Sequence, residues 1–205
     1  MKTTKNLLTL AFALFATFAF SQIATSEHDF SAWALNGNNE AALCDACHTP
    51  HQSTILDGAP LWNHALSTVT TYTNYDTPTM DATTGDPSGT SLLCLSCHDG
   101  TTAIDSYGGA TGTTFIGAGF LVGDVTVANN DMSSEHPISF AYADAVATDN
   151  GLNTEASVAS FLVGGIGGTV ECASCHDVHN QGAGNYALLT ASNVNSALCT
   201  TCHIK

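Results

Sequence analysis

Cys44-Asp45-Ala46-Cys47-His48 decides how this chain is read, because its spacing returns as Cys94-Leu95-Ser96-Cys97-His98, Cys172-Ala173-Ser174-Cys175-His176 and Cys199-Thr200-Thr201-Cys202-His203. The four copies use all 8 cysteines and leave none over. Cys-x-x-Cys-His is the attachment signature of c-type haem: two thiols on one turn add to two vinyl groups, and the adjacent imidazole is held under the iron. The competing explanation is four zinc-type or redox Cys-x-x-Cys pairs that happen to precede a histidine. The chain holds 9 His in 205 residues, so four successive coincidences have a probability on the order of a few in a million. A zinc ribbon gives no reason for His after every second Cys. Thioredoxin-like chemistry needs one pair on a βαβ unit, which the pattern does not contain. The spacing predicts four haem c groups attached at Cys44, Cys47, Cys94, Cys97, Cys172, Cys175, Cys199 and Cys202, with His48, His98, His176 and His203 as proximal ligands.

The other histidines are His28, His51, His64, His136 and His179, five for four distal positions. His51 and His179 each lie three residues beyond a proximal His, in Cys-His-Thr-Pro-His and Cys-His-Asp-Val-His. On a helical turn, i and i+3 are neighbours, so one imidazole could hold its own haem while the next reaches an adjacent iron. His136 precedes Pro137, which pushes it toward an extended, stiff backbone suited to ligation. His28 and His64 compete for the last place. Trp62, beside His64, suits packing against a porphyrin edge, so His28 is taken as the ligand and His64 as the alternative. Met80 and Met132 are the rival ligands, but the histidines suffice for every site.

Lys2 and Lys5, the apolar run 7–20 and the small residues of Ala19-Phe20-Ser21 read as an export signal cleaved after Ser21. That run is well short of the ~20 residues needed to span a bilayer, and no Cys near the cut could carry a lipid. Residues 22–205 are then a single tetrahaem domain with no membrane span, exported to the cell surface or beyond, or alternatively to the periplasm. Cysteines in an exported chain would ordinarily pair as disulfides; the histidine after each pair decides against it. Formal charge is −15, with three Lys and no Arg. A nucleic-acid binder working by phosphate neutralisation is excluded.

Between the motifs, regular patterning is sparse. Short helices are expected around each motif, a brief helix over 140–147, a strand or hairpin in the apolar run 115–122, and loop over 68–89. The fold class is a multihaem cytochrome c, mostly irregular coil with short α-helices at the haem motifs and little β, its core made of stacked haems. Asp76, Asp81 and Asp86 could bind Ca²⁺, but a solvated acidic surface is the simpler reading.

The order His-Asp-Phe-Ser from His28, Cys-x-x-Cys-His-Thr-Pro-His, Pro-Leu-Trp-Asn, Leu-Cys-Leu-Ser-Cys-His-Asp-Gly-Thr, His-Pro-Ile-Ser-Phe, Cys-Ala-Ser-Cys-His-Asp-Val-His and Leu-Cys-Thr-Thr-Cys-His resembles a family of exported tetrahaem cytochromes c. That group includes the tetrahaem subunits of extracellular cytochrome filaments, the nanowires of metal-reducing bacteria. The resemblance spans His28 to His203. It implies bis-His ligation, a coil-rich fold around a chain of haems, and polymerisation as a homo-oligomer or filament with a ligand shared between subunits.

Two function classes follow. The first is electron transfer, either through a filament or as a monomeric periplasmic carrier, to redox partner proteins or extracellular acceptors. The second is a multihaem reductase with one open haem. Five spare histidines for four sites, with no accompanying Lys, Arg or Tyr cluster, favour electron transfer and no enzymatic role. His28 lies near the predicted mature terminus, where an arm could reach its own haem or that of a neighbouring copy.

Overall fold

The computed structural model describes residues 23–24, 26–33, 35, 43–49, 51, 53–56, 59–123, 130–179 and 188–204. The predicted leader lies outside them. Among the described residues, no helix is long and apolar enough to cross a membrane.

The longest described helix, α1 (Gly89–His98), carries the second motif on its C-terminal half. Ser88 enters it in extended conformation, and Leu92, Leu93 and Leu95 are strong helix formers. Gly100, at φ 75°, ends it in the left-handed turn that glycine adopts without strain. Its buried positions Ser91 and Leu95 lie one turn apart and are joined by Ser96. Further along are α2 (Tyr142–Thr148), α3 (Glu155–Val158), α4 (Cys172–Cys175) and α5 (Ala197–Cys202). The third motif begins on α4, whose first turn is closed reciprocally: Glu171 accepts from the Ser174 backbone, and the Ser174 hydroxyl accepts from Glu171 N–H at 2.9 Å. The fourth motif ends α5, entered through left-handed Asn195 and Ser196.

The first motif differs from the helix expected there. It is a single turn in which the N–H groups of Cys47 and His48 both reach Cys44 O, at 3.2 and 2.8 Å. The chain then bends into a bridge between His48 and Trp62, which diverts the backbone before a second helical bond can form.

Strand structure is confined to two short ladders among the described residues. β1 (Thr73–Asn74) runs parallel to β2 (Asp131–Met132), and β3 (Phe140–Ala141) runs antiparallel to β4 (Thr169–Val170). β1 lies in the segment read as loop. The helix expected over 140–147 begins two residues later, because Phe140 pairs with Val170 and buries there. The run 115–122 forms no ladder. It carries a 3-10 turn at Ala118–Phe120 flanked and interrupted by glycines, which weaken a strand, and its backbone is engaged by the second motif, as shown below.

Three small apolar clusters replace a single core. Phe140, Tyr142, Ala145, Val158, Leu162 and Val170 form the first; Phe30, Leu35, Ala46 and Ile104 the second; Tyr72, Leu95 and Met132 the third. Each lies against one or two of the motif segments: Cys202 packs on the first cluster and Cys97 on the second, while Leu95 of α1 belongs to the third. Small, divided packing with little sheet is compatible with a coil-rich multihaem cytochrome.

Candidate functional site

Three of the four motif histidines lie close to a histidine from elsewhere in the chain. The ring centroids of His98 and His28 are 5.9 Å apart, those of His48 and His179 6.1 Å, and those of His203 and His136 6.4 Å. Two imidazoles gripping one metal from opposite sides, with bonds of ~2.0–2.1 Å and about 1.1 Å from each nitrogen to its ring centre, have centroids about 6.3 Å apart. Each of these pairs would therefore fit one iron held by a nitrogen from each ring.

The ring nitrogens agree with that use. His48 Nδ1 donates to Pro60 O at 2.8 Å, His98 Nδ1 to Phe120 O at 2.6 Å and His136 Nδ1 to Pro137 O at 2.9 Å. A hydrogen bond at Nδ1 fixes the tautomer and leaves Nε2 as the lone-pair donor. The hold on His98 is doubled, since Val122 N–H donates to His98 O at 2.9 Å. This explains why the apolar run 115–122 is not a strand. Burial, with His98 and His176 nearby, lowers His28 from 6.5 to about 4. His28 is thus neutral, the form that ligates, and its Nδ1 is buried without a partner.

His64 is placed quite differently. It is buried, with Nδ1 2.7 Å from Ala65 O and Nε2 3.0 Å from Ala103 O. Burial lowers its pKa, so the neutral ring carries one N–H and donates to only one of these carbonyls; Nε2 also lies 3.7 Å from Cys97 Sγ of the second motif, and Trp62 Nε1 donates to His64 O at 2.8 Å. Its bridge to Tyr107 ties the 62–65 segment to the stretch behind the second motif. His51 and His176 are exposed, and His51 is not one of the paired rings. The helical i, i+3 argument for His51 and His179 does not hold. His176 is extended (φ −119°, ψ 137°), and His48 sits in a bridge; His179 reaches the first motif through tertiary placement. Met132 is buried with Tyr72 and Leu95, and Met80 packs on the first cluster. Asp76, Asp81 and Asp86 are exposed. Among the described residues, no group of three or more His, Cys, Asp or Glu is arranged to hold a metal ion.

The sulfurs run through the fold in motif order. Burial raises Cys47 to about 11 and Cys97 to about 12, the latter also through Cys47 and Asp99. A hydrogen bond between Cys94 and Cys172 raises the first thiol and lowers the second, so the second and third motifs touch. Burial and then Cys202 raise Cys175, which links the third motif to the fourth. α1 and α4 are joined by Ser91, which donates to Glu171 Oε2 at 2.6 Å and accepts from Cys172 N–H at 3.0 Å. Ser139 adds a second hydroxyl to Glu171 at 3.1 Å.

Sequence reasoning did not find the buried carboxylates Asp99, Asp105 and Glu171. The signal was present: Asp99 directly follows the second motif and Glu171 directly precedes the third.

Residues 167–205 match the family model described as a doubled CXXCH motif. The match covers the third and fourth motifs, is consistent with a multihaem cytochrome, and points to haem c binding and electron transfer. No curated protein matches the chain.

Proposed function

We propose that the chain is an electron-transfer protein carrying four covalent haem c groups, each iron held between two histidines. His48 would pair with His179, His98 with His28 and His203 with His136, which leaves His51 for His176. The observation that carries this is the three imidazole pairs at 5.9, 6.1 and 6.4 Å. Haem c supplies the one-electron Fe(III)/Fe(II) couple. The chain's own part is to anchor, align and insulate. Paired thiols fix each group covalently, Nδ1 bonds to Pro60 O, Phe120 O and Pro137 O orient the ligands, and adjacent motif sulfurs keep neighbouring groups close enough for electrons to pass. Histidines at both axial positions give substrate no iron to bind, which favours a carrier or conductor over a reductase.

Export is part of the same proposal, supported by the basic and apolar leader and by thiols reserved for haem. Assembly into a filament rests on the sequence resemblance. One chain by itself brings His28 to His98, so closing that pair requires no second copy. Intact mass of the matured protein should show four haem additions; fewer would overturn the proposal. His28→Ala should convert one haem to high spin, reversed by added imidazole. Unchanged spectra in that variant would return the distal position to another residue.

A further inference from the structure

We propose that Asp99 is a potential-setting residue: a buried carboxylate, met among the described residues by neutral donors, that holds the haem of the second motif at a lower reduction potential than it would otherwise have. The proposal rests on the four-haem reading above.

Asp99 caps the C-terminus of α1, directly after proximal His98, and is 1% exposed. Its Oδ2 accepts from the hydroxyls of Ser67 and Tyr72, the latter at 2.7 Å. Its Oδ1 accepts from Thr101 N–H and Thr101 Oγ1, both at 2.8 Å. Four donors converge on two oxygens, the arrangement a carboxylate accepts. None of the four brings positive charge. The chain's basic side chains are Lys2, Lys5 and Lys205, and none belongs to the described residues. Hydroxyl and amide donors stabilise the charge locally but do not cancel its field.

In a buried setting that field is weakly attenuated and poorly screened by salt. It favours the state with the greater positive charge at the iron, the ferric one, and so opposes reduction. The place of Asp99 beside the motif is fixed by its own backbone, whose N–H donates to Leu95 O at 3.2 Å on the helix that carries Cys94, Cys97 and His98. The corresponding positions elsewhere lack such a group: Thr49 follows His48, exposed Ile204 follows His203, and Asp177 after His176 is only half-buried. Glu171 lies between the second and third motifs and acts on both with the same sign, so Asp99 is what singles out the second.

The test is a spectroelectrochemical titration of the matured protein and two variants, with intact mass taken on each. Asp99→Asn keeps the shape and removes the charge, while the Ser67 and Tyr72 hydroxyls can turn to accept from the amide. One of four midpoints should rise by at least a tenfold change in its reduction equilibrium, about 59 mV for one electron, and the rise should persist at high salt. Tyr72→Phe retains the charge with one donor fewer and should move the same midpoint down. Fewer than four haems on the unaltered protein would overturn the underlying reading. Four haems with midpoints unmoved in Asp99→Asn would overturn the role of Asp99 alone. If Asp99→Asn fails to mature, Tyr72→Phe decides: a downward shift supports the proposal, and no shift or an upward one overturns it.

Discussion

Ser91→Ala removes one oxygen from a fully buried position and cuts the link between the helices carrying the second and third motifs. Ser91 is 0% exposed. Its hydroxyl donates to Glu171 Oε2 at 2.6 Å and accepts from Cys172 N–H at 3.0 Å, across 80 and 81 residues of chain. The first bond is charge-assisted, and losing it costs about 1.5–3 kcal/mol. The second leaves the first-turn N–H of α4 without its partner, at a further ~1–3 kcal/mol. Glu171 keeps Ser139 Oγ and the Ser174 backbone, so the carboxylate is not stripped and the lower half of the range applies, about 3 kcal/mol in all. Guanidinium denaturation followed at the Soret band measures this. The midpoint should fall with little change in slope, because the surface exposed on unfolding is nearly unchanged. Four haems should remain attached. A loss below about 0.5 kcal/mol, the range of an ordinary surface change, would refute the claim that this bridge holds the two motifs together.

His64→Ala should destabilise the protein by about 2–4 kcal/mol through loss of a buried imidazole and its hydrogen bond to a backbone carbonyl, with every axial-ligand signature unchanged; a new high-spin haem would make His64 a ligand. Gly112→Ala should lower the melting temperature, because a Cβ there lies 2.6 Å from the Asp105 carbonyl carbon, and relieving such overpacking costs about 1–3 kcal/mol; an unchanged melting temperature would show that the 105–112 turn is not tight. Acidification supplies a further check at His28. The unfolded chain takes up this proton near 6.5, whereas burial, with His98 and His176 nearby, lowers it to about 4 in the folded chain and coordination to iron would hold it off further, so the contribution is intact above 6.5 and is lost as pH falls from there toward 4 and below. Denaturation midpoints should decline through that window and do so less in His28→Ala; equal slopes would contradict the buried, neutral imidazole.

What the sequence made legible is what covalent chemistry demands. Two thiols and an imidazole must stand at fixed spacing on one turn, and that requirement shows in four places without any knowledge of the fold. The partnering of His48 with His179, or His203 with His136, joins residues far apart in the chain and follows from tertiary packing that no local pattern encodes. The expectation that Trp62, beside His64, packs against a porphyrin edge did not foresee the indole N–H bond to His64 O. The run 115–122 misled because its apolar residues suggested a ladder, whereas the Phe120 carbonyl and Val122 amide serve His98. Asp99 and Glu171 read as two more acids in an acidic chain; burial beside the motifs distinguishes them, and burial is a property of the fold.

The central claim is that each iron lies between two imidazoles. Near-infrared magnetic circular dichroism of the oxidised, matured protein tests it most directly, because the charge-transfer band reports the axial pair and its intensity can be scaled to haem content. The account predicts bis-histidine bands accounting for four haems per chain. A methionine-ligated or high-spin component in the unaltered protein would contradict it.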